Sequence, residues 1–269
     1  MPPGNVFGND RTIAAALNQL FEPHIAAFRK AEKYITASIN FERIYIPSIR
    51  GLRTFSDNSD HYKEITKEHY FKAAGKVNIF TGLSLYEDFK KLLLGTLEDR
   101  QLTADFQAFL SVSFFNGQDV TLIPKHDDNL IHVKIGSEAE YPIQNLGDGI
   151  QAIICIIFPL FHARDKDALV FIEEPENCLH PGMQRILINT LMNSSAFPNH
   201  QYFIATHSNH FLDLTLDKSD VSVFACEKII SDDPDHGVKS TFQITNLSTG
   251  DDSLLQLLGA RASSVFLSN

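Results

Sequence analysis

The chain is poor in positive charge, in cysteine and in long apolar runs, and each shortage removes a class of protein. Its 33 Asp and Glu outnumber 23 Lys and Arg, for a formal net charge of −10 and a sequence pI near 5.5. That balance excludes nucleic-acid binding through an overall basic surface and leaves it only to a local patch or a partner. Three cysteines, Cys155, Cys178 and Cys226, lie far apart, and two fall in or beside apparent core elements. They read as reduced cytoplasmic thiols, not as a disulfide framework. The longest apolar segment, Ile150 to Phe161, contains Gln151 and Pro159 and is too short to span a bilayer. A buried helix is expected there, and no membrane association. No basic region followed by an apolar stretch opens the sequence, so no signal peptide is expected. Internal repeats and low-complexity tracts are also lacking.

What is present suits a globular protein. The 269 residues are 43% hydrophobic, enough for one large domain or two small ones. Thr12 to Ser38 carries apolar residues at helical spacing, with Pro23 expected to divide it into two helices. Phe41 to Pro47 alternates as a strand, with Ile44 and Ile46 on one face, and the loop after it carries Arg50 and Arg53. Loop arginines are usually solvated, with a phosphate or partner contact as the alternative. Asp60 to Asn78 and Leu83 to Phe115 read as helices and together as an inserted helical arm. Asp119 to Pro124 and Asn129 to Gly136 read as a hairpin suited to a lid or edge sheet.

The second half is more regular. Helices are expected over Gly149 to Arg164 and Pro181 to Asn193, with a short one over His210 to Leu214. Strands are expected over Leu169 to Ile172, Gln201 to Thr206 and Val221 to Cys226. Helices alternating with apolar strands predict an α/β fold with a mainly parallel sheet flanked by helices. Ser240 to Leu247 reads as an edge strand and Asp251 to Leu258 as a helix. The expected organisation is a helical segment over residues 1–40, a strand with arm and hairpin over 41–140, and an α/β half over 141–269.

Three segments carry the chemistry. Ala168 to Ile172 is a continuous apolar run, too short for a typical helix, and reads as a central strand covered on both faces. Glu173 and Glu174 follow where the strand leaves the sheet, and ligands of open α/β sheets bind at such carboxyl ends. Paired acids there suit a metal-bound phosphate and an attacking water, or are only a solvated loop entrance. Asn145 to Gln151 opens the apolar helix. Asp148 and Gln151 have capping-box spacing, and the same helix start could bind an anion. Gln201 to Ser208 is a second apolar run ending in polar residues, among them His207, a loop residue or a phosphate contact.

In this order the segments resemble the signature, Walker B, D-loop and switch-histidine elements of ABC-type ATPases. The pattern EEPExxLHP followed by THS is most similar to the overcoming-lysogenization-defect (OLD) family and its AAA-type relatives. The likeness covers Gln144 to Ser208, with weaker likeness at Tyr45 to Gly51. Leu257 to Ser264 looks like the join that leads, in that family, into a Toprim nuclease domain. The resemblance implies a P-loop-NTPase-like fold that uses ATP and Mg²⁺. It implies Glu173 at Mg²⁺, normally through water, Glu174 as general base, and His207 at the γ-phosphate. Gly147, Asp148 and Gly149 would face the nucleotide of a second subunit in a head-to-tail dimer, with Asn177 and His180 at the same interface. Gly147 stands where many relatives have serine, and Asp148 adds a negative charge, so contact there would come from backbone N–H groups.

One element of that pattern is missing. No G-x-x-x-x-G-K-[ST] occurs, and the only Gly-Lys pair, Gly75-Lys76, has Val77 where a hydroxyl is needed. The chain is therefore expected to be an internal piece of a larger ATPase, or to be completed by another polypeptide. The expected function is ATP hydrolysis controlling a nuclease in defence against foreign DNA. The alternative is a scaffold with a degenerate ATPase fold. A zinc site from His207, His210 and Glu173 or Glu174 lacks firm ligand spacing.

Overall fold

The computed structural model describes residues 41–52, 60–72, 76–127, 129–211, 221–233 and 237–247. The chain divides into two compact units, one of them Asn40–Asp213. Within that unit four strands form a parallel sheet in the order β2-β1-β6-β7: β1 is Glu42–Ile46, β2 Asn78–Ile79, β6 Ala168–Glu173 and β7 His200–Ala205. Ala168 stands opposite both Glu42 and His200, and at the other end Ile172 faces Ile46 while Glu173 faces Ala205. The three longer strands therefore reach one rim together, and that rim carries the acids.

The apolar helix is α4, Asp148–His162, and every residue from Gln151 to Phe161 is buried. A helix apolar all round is stable only inside a core. Strand β6 alternates instead: Ala168, Val170 and Ile172 are buried, while Leu169 and Phe171 are partly exposed. It is central in the sheet, with one face fully buried and the other partly covered. On the half-open face Phe171 stacks on Phe203 of β7, 4.8 Å between ring centroids.

Two of the helices expected as an arm pack into the core, and the first does not. Helix α1, His61–Tyr70, ends well before Asn78, which belongs to a strand. The span from Leu83 is broken into α2, Leu85–Leu93, and α3, Leu97–Phe114. The break has a local cause: Gly95 ends one helix, and Thr96 and Asp99 close a capping box that starts the next. Phe106 of α3 then packs on Phe158 and Phe161 of α4, and Phe109 on Phe161 and Phe197. The hairpin is present as β3, Val120–Pro124, and β4, Ile131–Ile135. A third strand, β5, Tyr141–Pro142, follows. Helix α5, Pro181–Asn193, connects β6 to β7, and Asn209–Phe211 forms a 3-10 turn.

In the remaining described segment, β8, Val223–Asp233, pairs antiparallel with β9, Gly237–Leu247. The strand expected over Val221 to Cys226 is thus one arm of a two-stranded ribbon, not a member of the parallel series. The expectations for Thr12 to Ser38, Arg53, Asp251 to Leu258 and Leu257 to Ser264 lie outside the described residues.

Gly82 joins β2 to α2 with φ +98°, and a Cβ there would come within 2.7 Å of Cys155 Sγ and 2.8 Å of the Gly51 carbonyl oxygen. Strain and overlap act together, so Gly82→Ala should destabilise the unit by about 2–4 kcal/mol. Urea denaturation checks this.

Candidate functional site

The rim is built around the turn that follows β6. Glu173 ends the strand, and the Glu174 N–H donates to the Ala205 carbonyl at 2.7 Å, stitching the turn to the end of β7. Glu174 has φ +42° and Cys178 φ +66°. Non-glycine residues held there cost on the order of 1–3 kcal/mol and cluster at functional sites. The structure thus brings Glu173, Glu174 and the 206–208 loop bearing His207 to one end of adjacent parallel strands.

Each acid has its own setting. The Tyr45 hydroxyl donates to Glu173 Oε1 and the Ser48 N–H to Oε2 at 3.2 Å. Burial, then the bonded Glu173, push the Tyr45 pKa up, so Tyr45 remains a donor. Glu174 Oε2 accepts from Asn177 Nδ2 at 2.9 Å, and the Asn177 N–H donates to the Glu174 carbonyl. Asn177 therefore holds the proposed base of its own chain.

Arg50 turns its guanidinium onto the backbone, not out to solvent as loop arginines usually do. Its Nη1 donates to the carbonyls of Pro47 at 3.1 Å and Glu173 at 2.9 Å, and its Nη2 to that of Glu174 at 2.8 Å. Its guanidinium braces the backbone beneath both acids. Burial lowers its pKa, with Cys155, Cys178, Glu176 and Glu174 opposing.

The remaining expected residues surround the same turn. Gly147, not Asp148, is the N-cap of α4, with no side-chain cap bond. Gln151 Nε2 donates to the Leu146 carbonyl at 2.8 Å, so the capping-box reading is replaced by a side-chain bond to the preceding loop. A Cβ at Gly149 would lie 3.1 Å from the Cys178 carbonyl oxygen, so the helix start sits against the turn. Gly149 has no positive φ, so it is this close approach that favours glycine there. His180 caps α5, its Nδ1 accepting from the Gly182 N–H at 3.2 Å.

Glu176 and Gln184 also take part, though neither is singled out by the sequence. Glu176 Oε2 accepts from Thr206 Oγ1 and its Oε1 from the His207 N–H, each at 2.7 Å. Gln184, buried on α5, contacts the loops on both sides of that helix. The signal for Glu176 was present in the EEPE run. Gln184 gives none, because one buried polar residue on an apolar helix face breaks no pattern.

Each Glu173 oxygen takes one hydrogen bond and has a second lone pair, so this single strand-end carboxylate fits Mg²⁺, which keeps several waters and needs only one or two protein carboxylates. Among the described residues no group of three or more His, Cys, Asp and Glu could hold a metal, which goes against zinc at His207 and His210.

The thiols differ in exposure. Cys178 and Cys226 are exposed, whereas Cys155 is buried, and burial pushes its pKa up to about 12. Alkylation at pH 9 should modify Cys178 and Cys226 and spare Cys155 until the protein is unfolded, as read by mass spectrometry.

No helix among the described residues is long and apolar enough to cross a membrane. No curated protein matches the chain. Solved structures similar to it include an SMC ATPase studied for ATP-driven dimerization and DNA-stimulated activation. It is 15% identical at a TM-score of 0.41, over 60% of this chain and 93% of that one. An SMC head domain with an extended coiled coil bound to the C-terminal domain of ScpA, from Pyrococcus furiosus, is 13% identical at 0.38. That match covers 61% of this chain and 38% of that one. The SMC head domain of Thermotoga maritima is 12% identical at 0.36, over 60% and 52%. The chain thus spans about half the length, or less, of the last two. The model of the AAA ATPase domain matches residues 13–212, which includes the whole parallel sheet and every residue of the rim, and the chain belongs to that family.

Proposed function

We propose that this chain carries the hydrolysing half of an ATP site, in an ATPase resembling the OLD family. The observation that carries the reading is the stitched rim, where Glu173 and Glu174 leave β6 beside the His207 loop at the end of parallel β7. Mg²⁺ bound through water at Glu173 would neutralise charge on the β- and γ-phosphates. Glu174 accepts the proton of the attacking water. Its Oε2 is oriented by Asn177, and Oε1 takes no hydrogen bond among the described residues. His207 contacts the γ-phosphate. Arg50 fixes the carbonyls of both acids, so the carboxylates leave a rigid backbone.

The lysine and backbone amides that hold the phosphates come from a segment bearing the absent G-x-x-x-x-G-K-[ST]. Gly147, Asp148 and Gly149, with Asn177 and His180, face the nucleotide of a second copy in a head-to-tail dimer. Turnover in that dimer controls a nuclease in cytoplasmic defence against foreign DNA. The missing phosphate loop favours a second reading, a non-hydrolysing scaffold. Mg-ATP turnover by the intact gene product separates the two. Magnesium-dependent hydrolysis supports the ATPase, whereas nucleotide-independent self-association without hydrolysis supports the scaffold.

A further inference from the structure

Five hydrogen bonds close a ring between the turn after β6, the start of α5 and the loop after β7. Glu176 Oε2 accepts from Thr206 Oγ1 at 2.7 Å, and Thr206 Oγ1 accepts from the Ser208 N–H at 3.0 Å. Ser208 Oγ donates to Gln184 Oε1 at 2.6 Å, and Gln184 Nε2 donates to the Leu179 carbonyl at 2.8 Å. The Leu179 N–H returns to the Glu176 carbonyl at 2.9 Å. Inside the ring, Glu176 Oε1 takes the His207 N–H, and Ser208 Oγ also accepts from the His210 N–H at 3.2 Å.

Two features separate this ring from ordinary loop bonding. Gln184 is only 7% exposed, and a buried amide is costly unless its donor and acceptor are both paired. Here the two ends of one amide are paired to different loops, so Gln184 fixes their spacing. Glu176 supplies charge-assisted bonds, roughly twice as strong as neutral ones, to the hydroxyl and the backbone that set His207. The turn that it anchors also carries Glu174, bonded to Asn177, and the exposed Asn177, Cys178 and His180.

We propose that Glu176 and Gln184 are positioning residues that make the 174–180 turn and the 206–210 loop one mechanical unit. A contact on the exposed edge of the turn then moves His207 and Glu174 together. The coupling stands on the ring alone; its service to hydrolysis rests on the ATPase reading above.

Amide hydrogen exchange on this chain tests the coupling. Gln184→Leu, which touches His207 nowhere, should speed exchange at residues 206–208 about tenfold or more. Thr206→Val should do the same, while Thr206→Ser, which keeps the hydroxyl, should not. Exchange within β6 should stay unchanged in all three, which excludes general unfolding. Unchanged exchange at 206–208 in Gln184→Leu, or equal effects of Thr206→Val and Thr206→Ser, overturns the proposal. In the intact ATPase, Gln184→Leu should lower kcat about tenfold with KM for ATP unchanged. It should add nothing to His207→Ala. Faster exchange with unaltered kcat would leave the coupling in place and overturn its service to hydrolysis, whereas absence of turnover in the unmutated protein would be a failure of the ATPase reading alone.

Discussion

Glu174→Gln in the intact ATPase should lower kcat by about 10²–10⁴-fold, the usual contribution of a positioned general base, and leave the KM for ATP nearly unchanged. The substitution is well isolated. Glutamine has the same length, keeps an oxygen that can accept from Asn177 Nδ2, and faces the same φ of +42° as glutamate. The Arg50 bond to the residue 174 carbonyl does not depend on the side chain. Only the ability to take a proton is lost, so thermal stability should not change and ATP-bound dimers should accumulate. Glu173→Gln should behave differently. Its carboxylate is bonded to Tyr45 and Ser48, and its loss should raise the Mg²⁺ concentration needed for activity. Turnover that is unchanged in Glu174→Gln would remove it from the role of base.

Phe158→Ala should cost about 3–5 kcal/mol of stability, the usual range for removing a large aromatic side chain from a core. The Phe158 ring lies 5.5 Å from Phe106, 5.7 Å from Phe80 and 6.2 Å from Phe89, so one truncation loosens α2, α3 and the strand end together. A domain of this kind has roughly 5–15 kcal/mol in all. The melting temperature should therefore fall by about 6–20 °C, given ~2–4 °C per kcal/mol at this size. Val112→Ala on the exposed face of α3, where Val112 is 77% exposed, should stay within about 0.5 kcal/mol. Equal effects of the two would mean that the helices of the presumed arm do not pack on α4.

The same packing explains which parts of the fold were legible in the sequence. Ala168 to Ile172, Gln201 to Ala205 and the mainly apolar α4 announce themselves, because the burial that stabilises them is written as continuous or alternating apolar residues. Asn78–Ile79 does not, since two residues carry no period. The polar ends of the β8–β9 ribbon were missed because a two-stranded ladder is held by backbone bonds whatever the side chains are. The break at Gly95-Thr96 was readable in principle, but its box is closed by aspartate where glutamate or glutamine is usual.

For the site, Glu173, Glu174 and His207 followed from motif order, and their shared rim follows from the β6–β7 register. The supporting residues did not. Whether a loop arginine turns outward or onto three carbonyls is decided by where β1 and β6 end, which brings Arg50 to Glu173, 123 residues away in sequence. The place of Gln184 depends on two loops meeting over α5, which no local spacing encodes.

A crystal structure of the intact ATPase with Mg²⁺ and a non-hydrolysable ATP analogue is the most direct test. The γ-phosphate should lie between the Glu173-Glu174 turn and His207, with a water within hydrogen-bond reach of Glu174. A triphosphate seated at another edge of the sheet, with that rim in bulk solvent, would contradict the account.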